Sequence, residues 1–255
     1  MLLAIDPASW PEGVARHVLA EVDSTNAEAA RLAPQLTQPT WIMARRQTAA
    51  RGRRGRAWAN PEGNFSATLL MRPDGHPAQA ALRSFIAALA LADALALICG
   101  PRAAISLKWP NDVLLNGGKV AGILLESAGQ GAQVSHLIIG IGVNLTTSPA
   151  PDAVEAGALP PVSVQGECGV DVSQDTLLDY LAHAFARWEA QFQTYGFAPI
   201  RNAWMAGAAR LGQEITARTM TETISGTFDS LADDGSLVLK TSGGRRAIPA
   251  ADVFF

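Results

Sequence analysis

Lys108-Trp109-Pro110-Asn111-Asp112-Val113-Leu114-Leu115-Asn116-Gly117-Gly118-Lys119-Val120-Ala121-Gly122-Ile123-Leu124-Leu125-Glu126 is the stretch on which the reading of this chain turns. Two apolar runs, Asp112 to Leu115 and Val120 to Leu125, flank Asn116-Gly117. Asn-Gly between such runs predicts a β-hairpin, because a tight type I′ turn needs positive φ at both central positions. Lys119 then stands just past the turn, at the start of the return strand. Pro110 ends a preceding strand, Ile105 to Trp109, because it brings no N–H to a ladder. Taken alone, Lys119 reads as a surface lysine beside a turn, and Asp112 as either a turn residue or a magnesium contact.

Outward from the hairpin, Trp41 to Ala44 and the alternating run Phe65 to Met71 read as strands, with turn residues Asn60 to Asn64 before the second. His136 to Leu145 is apolar enough to lie centrally in a sheet. Ala78 to Ile98 reads as a long buried helix. Gln174 to Tyr195 predicts another, with Leu177, Leu181, Phe185, Trp188 and Phe192 on one face and Gly196 ending it. A shorter helix is expected from Pro199 to Ala206. Near the start, Asp23-Ser24-Thr25-Asn26 opens a helix ended by Pro34, with Thr25 and Glu28 fitting a capping box. Ser24 and Thr25 read there as caps, or else as hydroxyls facing a ligand at the positive helix end.

Pro149 to Gly169 reads as a connection with little regular structure. After Leu211 the chain turns Thr-, Ser- and Gly-rich, with strands expected at Glu214 to Met220, Ile224 to Leu231 and Ser236 to Thr241 and a tight turn at Asp234-Gly235. A β unit of this size needs the larger part of the chain for stability.

The chain has 255 residues, 48% hydrophobic and 17% charged, with net charge -3 and a pI near 5.8. That composition suits a globular protein with a large core and argues against a general nucleic-acid binder. Cys99 and Cys168 make neither a disulfide framework nor a metal set, which points to a reducing cytoplasm. Met1 to Ile5 is followed at once by Asp6 and Pro7, unlike a secretory leader. Arg83 and Asp93 make Ala78 to Cys99 a costly membrane span, so no membrane partner is expected. There is no Walker-type phosphate loop and no G-x-S-x-G elbow. Gly140-Ile141-Gly142-Val143-Asn144 lacks the third glycine of a dinucleotide fingerprint. The four histidines show no metal spacing.

Against this mildly acidic background, the window from Arg45 to Arg56 holds six of the 17 arginines. Within it, Arg51-Gly52-Arg53-Arg54-Gly55-Arg56 interleaves planar five-donor cations with glycines that let the backbone wrap closely, a composition suited to an anion. A solvated basic loop is the plainer reading. Lysine is scarce: Lys108, Lys119 and Lys240 are the only three, and the first two lie close together.

Asp23-Ser24-Thr25-Asn26, Arg51 to Trp58, Lys108 to Asp112, Gly118 to Glu126 and Gly140 to Leu145, in this order, resemble the motifs of the biotin protein ligase family, and the likeness runs along nearly the whole chain. It implies an α+β fold: a mixed-sheet catalytic domain (1–208) followed by a small SH3-like β-barrel (209–255). It also implies an ATP-dependent biotin–[biotin carboxyl-carrier protein] ligase that forms biotinyl-5′-AMP and transfers biotin to a lysine of a carboxylase's carrier domain. By resemblance, Ser24, Thr25, Asn26 and Gln47 would meet biotin. Arg51, Gly52 and Arg53 would close over the adenylate, and Lys119 would reach the biotin carboxylate and the α-phosphate. The backbone of Gly122 and Ile123 would line the ligand. Arg54, Arg56, Lys108, Asn111 and Asp112 would serve the nucleotide and its magnesium, with Trp58 and Asn144 near the adenine. Lys119 and Arg53 are the expected catalytic residues. ATP with Mg2+ and biotin would be substrates, with no prosthetic group and no DNA partner, and homodimerisation is left open.

Two departures from the family pattern stand out. Ala50 replaces a common glycine, which would strain the loop if the position needs positive φ. Only 22 residues precede Asp23, too few for the DNA-binding domain of bifunctional members, so no repressor activity is expected. The rival readings are a lipoate or octanoate ligase of related fold, and a nonenzymatic nucleic-acid-binding module.

Overall fold

The computed structural model describes residues 10–59, 61–130, 133–150, 154 and 157–255. The readings of residues 1–7, of Asn60 and of 151–153, 155 and 156 lie outside the described residues.

Among the described residues the larger sheet has seven strands: β1 (Ala15–Val22), β2 (Thr40–Gln47), β3 (Phe65–Met71), β4 (Ile105–Lys108), β5 (Asp112–Leu115), β6 (Gly118–Gln130) and β7 (Gln133–Val143). They lie in the order β1-β2-β3-β7-β6-β5-β4, parallel between β1 and β2 and antiparallel elsewhere. The β5–β6 hairpin turns as expected, with Asn116 and Gly117 at φ 51° and 86°. A register shift between Val113 and Leu114 bends its strand. β3 is buried along its whole length, which places it at the centre of the molecule. β1 was not anticipated; its Arg, His and Glu side chains face solvent on an edge, so the run lacks a clear apolar alternation.

Helices cover both faces of the sheet. On one side lie α2 (Pro77–Ala81), α3 (Arg83–Cys99), α5 (Gln174–Tyr195) and α6 (Phe197–Ala206), packed on Trp41, Phe65, Leu69 and Ile139. The single helix expected over Ala78 to Ile98 is instead two. The chain makes a tighter turn at Leu82, whose carbonyl accepts from Phe85 N–H at 3.1 Å. Arg83, which counts against a membrane span, is buried in a bidentate pair with Glu189 of α5, 2.6 to 3.1 Å long. The segment expected to be irregular contains one short helix, α4 (Val164–Cys168), capped by Ser163. On the opposite face α1 (Thr25–Leu32) packs Ala29 against Ile42, Leu70 and Ile138. The expected capping box does not form. Ser24 holds the cap position without a side-chain bond, and Thr25 lies inside the helix, bonded to Gln47.

The terminal sheet is antiparallel, in the order β11-β10-β9-β8-β12, with β8 (Glu214–Arg218), β9 (Thr223–Leu231), β10 (Leu237–Thr241), β11 (Gly244–Ile248) and β12 (Asp252–Phe254). β11 and β12 were missed because the first is almost wholly exposed and the second spans three residues. The fold is α+β: a mixed sheet with its helices, followed by this SH3-like β unit. Their cores are continuous. Trp109 donates its indole N–H to the Gly235 carbonyl at 3.0 Å. A Cβ on Gly235 would sit 2.7 Å from the Phe85 ring, so the Asp234-Gly235 turn seats directly on α3.

Candidate functional site

A cavity of about 660 Å³ opens on the α1 face of the larger sheet, roofed by the arginine loop and by Asp252, Val253 and Phe254 of the last strand. Of the site residues expected from the sequence, all but Arg54 line it.

One end is neutral and hydrogen-bonded. The start of α1 meets the polar side chains of Gln47 on β2 and of Ser66 and Thr68 on β3. Gln47 accepts from the Thr25 N–H at 2.7 Å and the Thr25 hydroxyl at 3.2 Å, and donates to Ser66 Oγ at 2.8 Å. Thr68 Oγ1 lies 2.8 Å from Thr25 Oγ1 and 2.7 Å from Asn26 Oδ1. Asn26 donates to Glu126 at 2.7 Å. Ser24, Thr25, Asn26, Ser66 and Thr68 are all buried, and a buried polar cluster persists only when its members are paired. Ser66, Thr68 and Glu126 carried no role in the sequence reading. The signal for Ser66 and Thr68 was two polar residues two apart on β3, a strand that is otherwise apolar; Glu126, on β6, had none.

The other end is cationic. Asp112 Oδ1 lies 2.7 Å from Lys119 Nζ, and Asp112 Oδ2 lies 3.7 Å from Lys108 Nζ, so one carboxylate bridges two ammonium groups. Burial pushes Lys108 below the ordinary lysine range; Asp112 works against this, and Lys119 adds to it. Asn111 is fixed by donating to the Ile123 carbonyl at 2.6 Å, and its side-chain oxygen accepts from Arg53 at 3.2 Å.

Between the ends lies Trp58, with Lys119 Nζ 5.6 Å from the centre of its ring. The indole rests on the sheet over Gly122 and Gly142: a Cβ at these positions would stand 3.2 Å and 2.7 Å from its atoms. Gly140, two residues earlier on the same face of β7, leaves room for the Asn26 amide. The glycine pair of Gly140-Ile141-Gly142 therefore clears the sheet floor for two side chains. Asn144 is buried and donates to the Val162 carbonyl at 3.0 Å, while its Oδ1 has no partner among the described residues.

The arginine loop is a closed hairpin. Arg51 bridges to Ala57, Gly52 N–H donates to the Arg56 carbonyl at 2.7 Å, and Trp58 N–H donates to the Ala50 carbonyl at 3.1 Å. The positive-φ positions at its tip are Arg54 (56°) and Gly55 (72°), while Ala50 is not among such residues. The strain expected at Ala50 is therefore absent. Arg51 pairs with Glu126 at 3.2 Å, and Arg53 lies 3.8 Å from Asp252. Burial lowers the Arg53 pKa, with Asp252 opposing it, and a guanidinium starting so high stays charged. Among the described residues no three His, Cys, Asp or Glu side chains cluster as a metal site.

Comparison with known proteins gives matches along the chain. The model of the biotin/lipoate A/B protein ligase family matches residues 18–144, and that of the biotin protein ligase C terminal domain matches residues 211–255. A biotin–[acetyl-CoA-carboxylase] ligase of Paracoccus denitrificans is 60% identical over 93% of this chain and 99% of its own. The bifunctional ligase/repressor BirA of Bacillus subtilis is 32% identical over 84% of this chain and 65% of its own. A biotin protein ligase of Aquifex aeolicus, solved in complex with biotin and ATP, superposes with a TM-score of 0.78 at 26% identity, covering 94% of this chain and 98% of that one.

Proposed function

This chain belongs to the biotin/lipoate A/B protein ligase family, and from that premise we propose that it is a biotin–[biotin carboxyl-carrier protein] ligase acting through an adenylate. The carrying observation is one cavity with a neutral hydrogen-bonding end and a cationic end, joined by an indole seated on glycines. Biotin's ureido ring takes the Ser24, Thr25, Asn26 and Gln47 end, whose hydroxyl and amide groups match a ring with N–H donors and a carbonyl acceptor and find no such partner on the hydrogen-bond-poor dithiolane of lipoate. That mismatch disfavours lipoate. The ATP phosphates take the Lys108–Asp112–Lys119 end.

In the first step a biotin carboxylate oxygen attacks the α-phosphorus, and pyrophosphate leaves with the electron pair of the broken P–O bond. Negative charge on the α-phosphoryl oxygens grows where Lys119 and Arg53 offer fixed donors, so these residues favour the transition state over the ground state. In the second step the amine of a carrier lysine attacks the acyl carbon, the acyl–O bond breaks, and AMP departs; the amine's proton passes to solvent. Positioning supplies most of the acceleration, since both leaving groups are good ones. Trp58 offers a face for the adenine, and the unpartnered Asn144 Oδ1 suits an amino-group donor. A magnesium ion, supplying charge neutralisation, would arrive on the triphosphate with Asp112 as a carboxylate contact, which is enough for an ion that keeps several waters. The partner is the biotin-accepting domain of a carboxylase. The division of labour places catalysis in residues 1–208 and the terminal unit in 209–255, a boundary between α6 and β8.

Pyrophosphate exchange into ATP tests this reading. Exchange should require biotin and should not respond to lipoate; folded protein showing no biotin-dependent exchange would refute it.

A further inference from the structure

Asp252, on β12, has its carboxylate 2.7 Å from Arg54, 3.1 Å from Arg56, and 3.8 Å from both Arg53 and Arg218. Its side chain is only 14% exposed. Three of these arginines come from the cavity's roof and one from β8, so the carboxylate sits where the loop meets the terminal sheet. Arg53 also reaches the Ala251 carbonyl at 3.5 Å. Opposite, the loop is tied to the larger sheet through Arg51–Glu126 and Arg53–Asn111. Arg54, which does not line the cavity, is the arginine closest to Asp252, and it occupies a left-handed conformation that L-residues adopt at a cost. The carboxylate therefore ties the loop to the last strand through charge-assisted contacts.

We propose that Asp252 is a positioning residue: the last strand clasps the arginine loop shut over the cavity, and the terminal β unit thereby sets how long the acyl-adenylate is retained. The retention half of this proposal rests on the ligase reading; the clasp does not. Charge-assisted pairs of this kind fix geometry as well as adding energy. The clasp also accounts for the last strand forming part of the roof.

Two measurements on the full chain test it. In the ligand-free protein, trypsin reports how often the loop opens. Asp252→Asn should speed cleavage after Arg53 by roughly fivefold or more, because local opening controls nicking of a folded chain. Asp252→Glu should restore most of the protection. Asp229→Asn, which removes another carboxylate of the same unit (paired with Arg245), should leave it unchanged. With labelled biotin and MgATP, Asp252→Asn should shorten the life of the bound adenylate by about tenfold and raise labelling of a bystander protein's lysines in step, the result expected when fixed charge-assisted contacts are lost. If Asp252→Asn melts at the assay temperature, Arg54→Gln with Arg56→Gln removes the loop's half of the clasp and should give the same two changes. Unchanged nicking in folded Asp252→Asn overturns the clasp whatever the wild type does with biotin. Faster nicking with unchanged adenylate lifetime overturns the retention role. Wild-type protein lacking biotin-dependent exchange overturns the ligase reading, and the retention role with it, while nicking still decides the clasp.

Discussion

Lys119 is placed by a turn it does not belong to. The Asn116-Gly117 turn fixes the register of β6, and Asp112, on the facing strand, holds the ammonium group at 2.7 Å. Asp112 thus orients the lysine where it lines the cavity. Lys119→Ala should lower the rate of biotin-dependent pyrophosphate exchange by about 10²–10³-fold, the usual loss when a donor to developing charge is removed. Circular dichroism should show the fold unchanged. The glycines of β7 allow a second, separable prediction. Gly142→Ala places a methyl against the indole of Trp58 and should raise the KM for ATP by roughly tenfold, as overpacking forces the ring off its seat. Gly140→Ala meets the Asn26 amide instead and should raise the KM for biotin. Exchange kinetics with each substrate varied in turn would check this split; equal effects on both substrates would count against two distinct ends.

At the level of elements, α3 and α5 are pinned by Arg83 and Glu189. The pair is buried, stacked on Phe192 with the guanidinium 5.0 Å from the ring centre, and leaves Arg83 Nη1 without a partner among the described residues. Glu189→Ala would strand a buried cation and should destabilise the protein by about 3–5 kcal/mol in urea unfolding. The double replacement Arg83→Met with Glu189→Leu should recover most of that loss. The start of α1 carries a pH dependence of known sign. Asp23 is held down to about 2 from 3.8, first by its hydrogen bonds from Arg31 and then by the Ser24 N–H. A depressed carboxylate contributes stability above its unfolded pKa and loses it as pH falls through the folded one. Asp23→Asn should therefore lower the thermal midpoint modestly near neutrality, the pair being solvent-screened. The difference should shrink below pH 4 and close near pH 2, as scanning calorimetry across that range would show.

For the whole molecule, the two sheets share one core through Trp109, Gly235, Phe85 and Trp204. Denaturant unfolding followed by tryptophan fluorescence and by far-UV circular dichroism should give coincident transitions, since neither sheet can open without exposing the other's apolar face. Two separated transitions would show the units to be energetically independent.

The elements with a clear period were legible in the sequence. β3 and α5 run over their expected residues, and the β5–β6 hairpin turns where Asn-Gly stands. The edge strands β1 and β11 were not legible, since an exposed edge needs no apolar alternation, and β12 is too short to show a period. The residues named from the motifs, Arg54 excepted, all reach the cavity wall. Its supports were not: Ser66, Thr68 and Glu126 act by bonding to other side chains. Asp252 meets Arg54 across 198 residues of chain. Local sequence dictates turns, periods and caps because those depend on neighbours along the backbone. Which carboxylate a cation finds depends on distance in space, and that was settled only when the sheet, its helices and the terminal unit had packed.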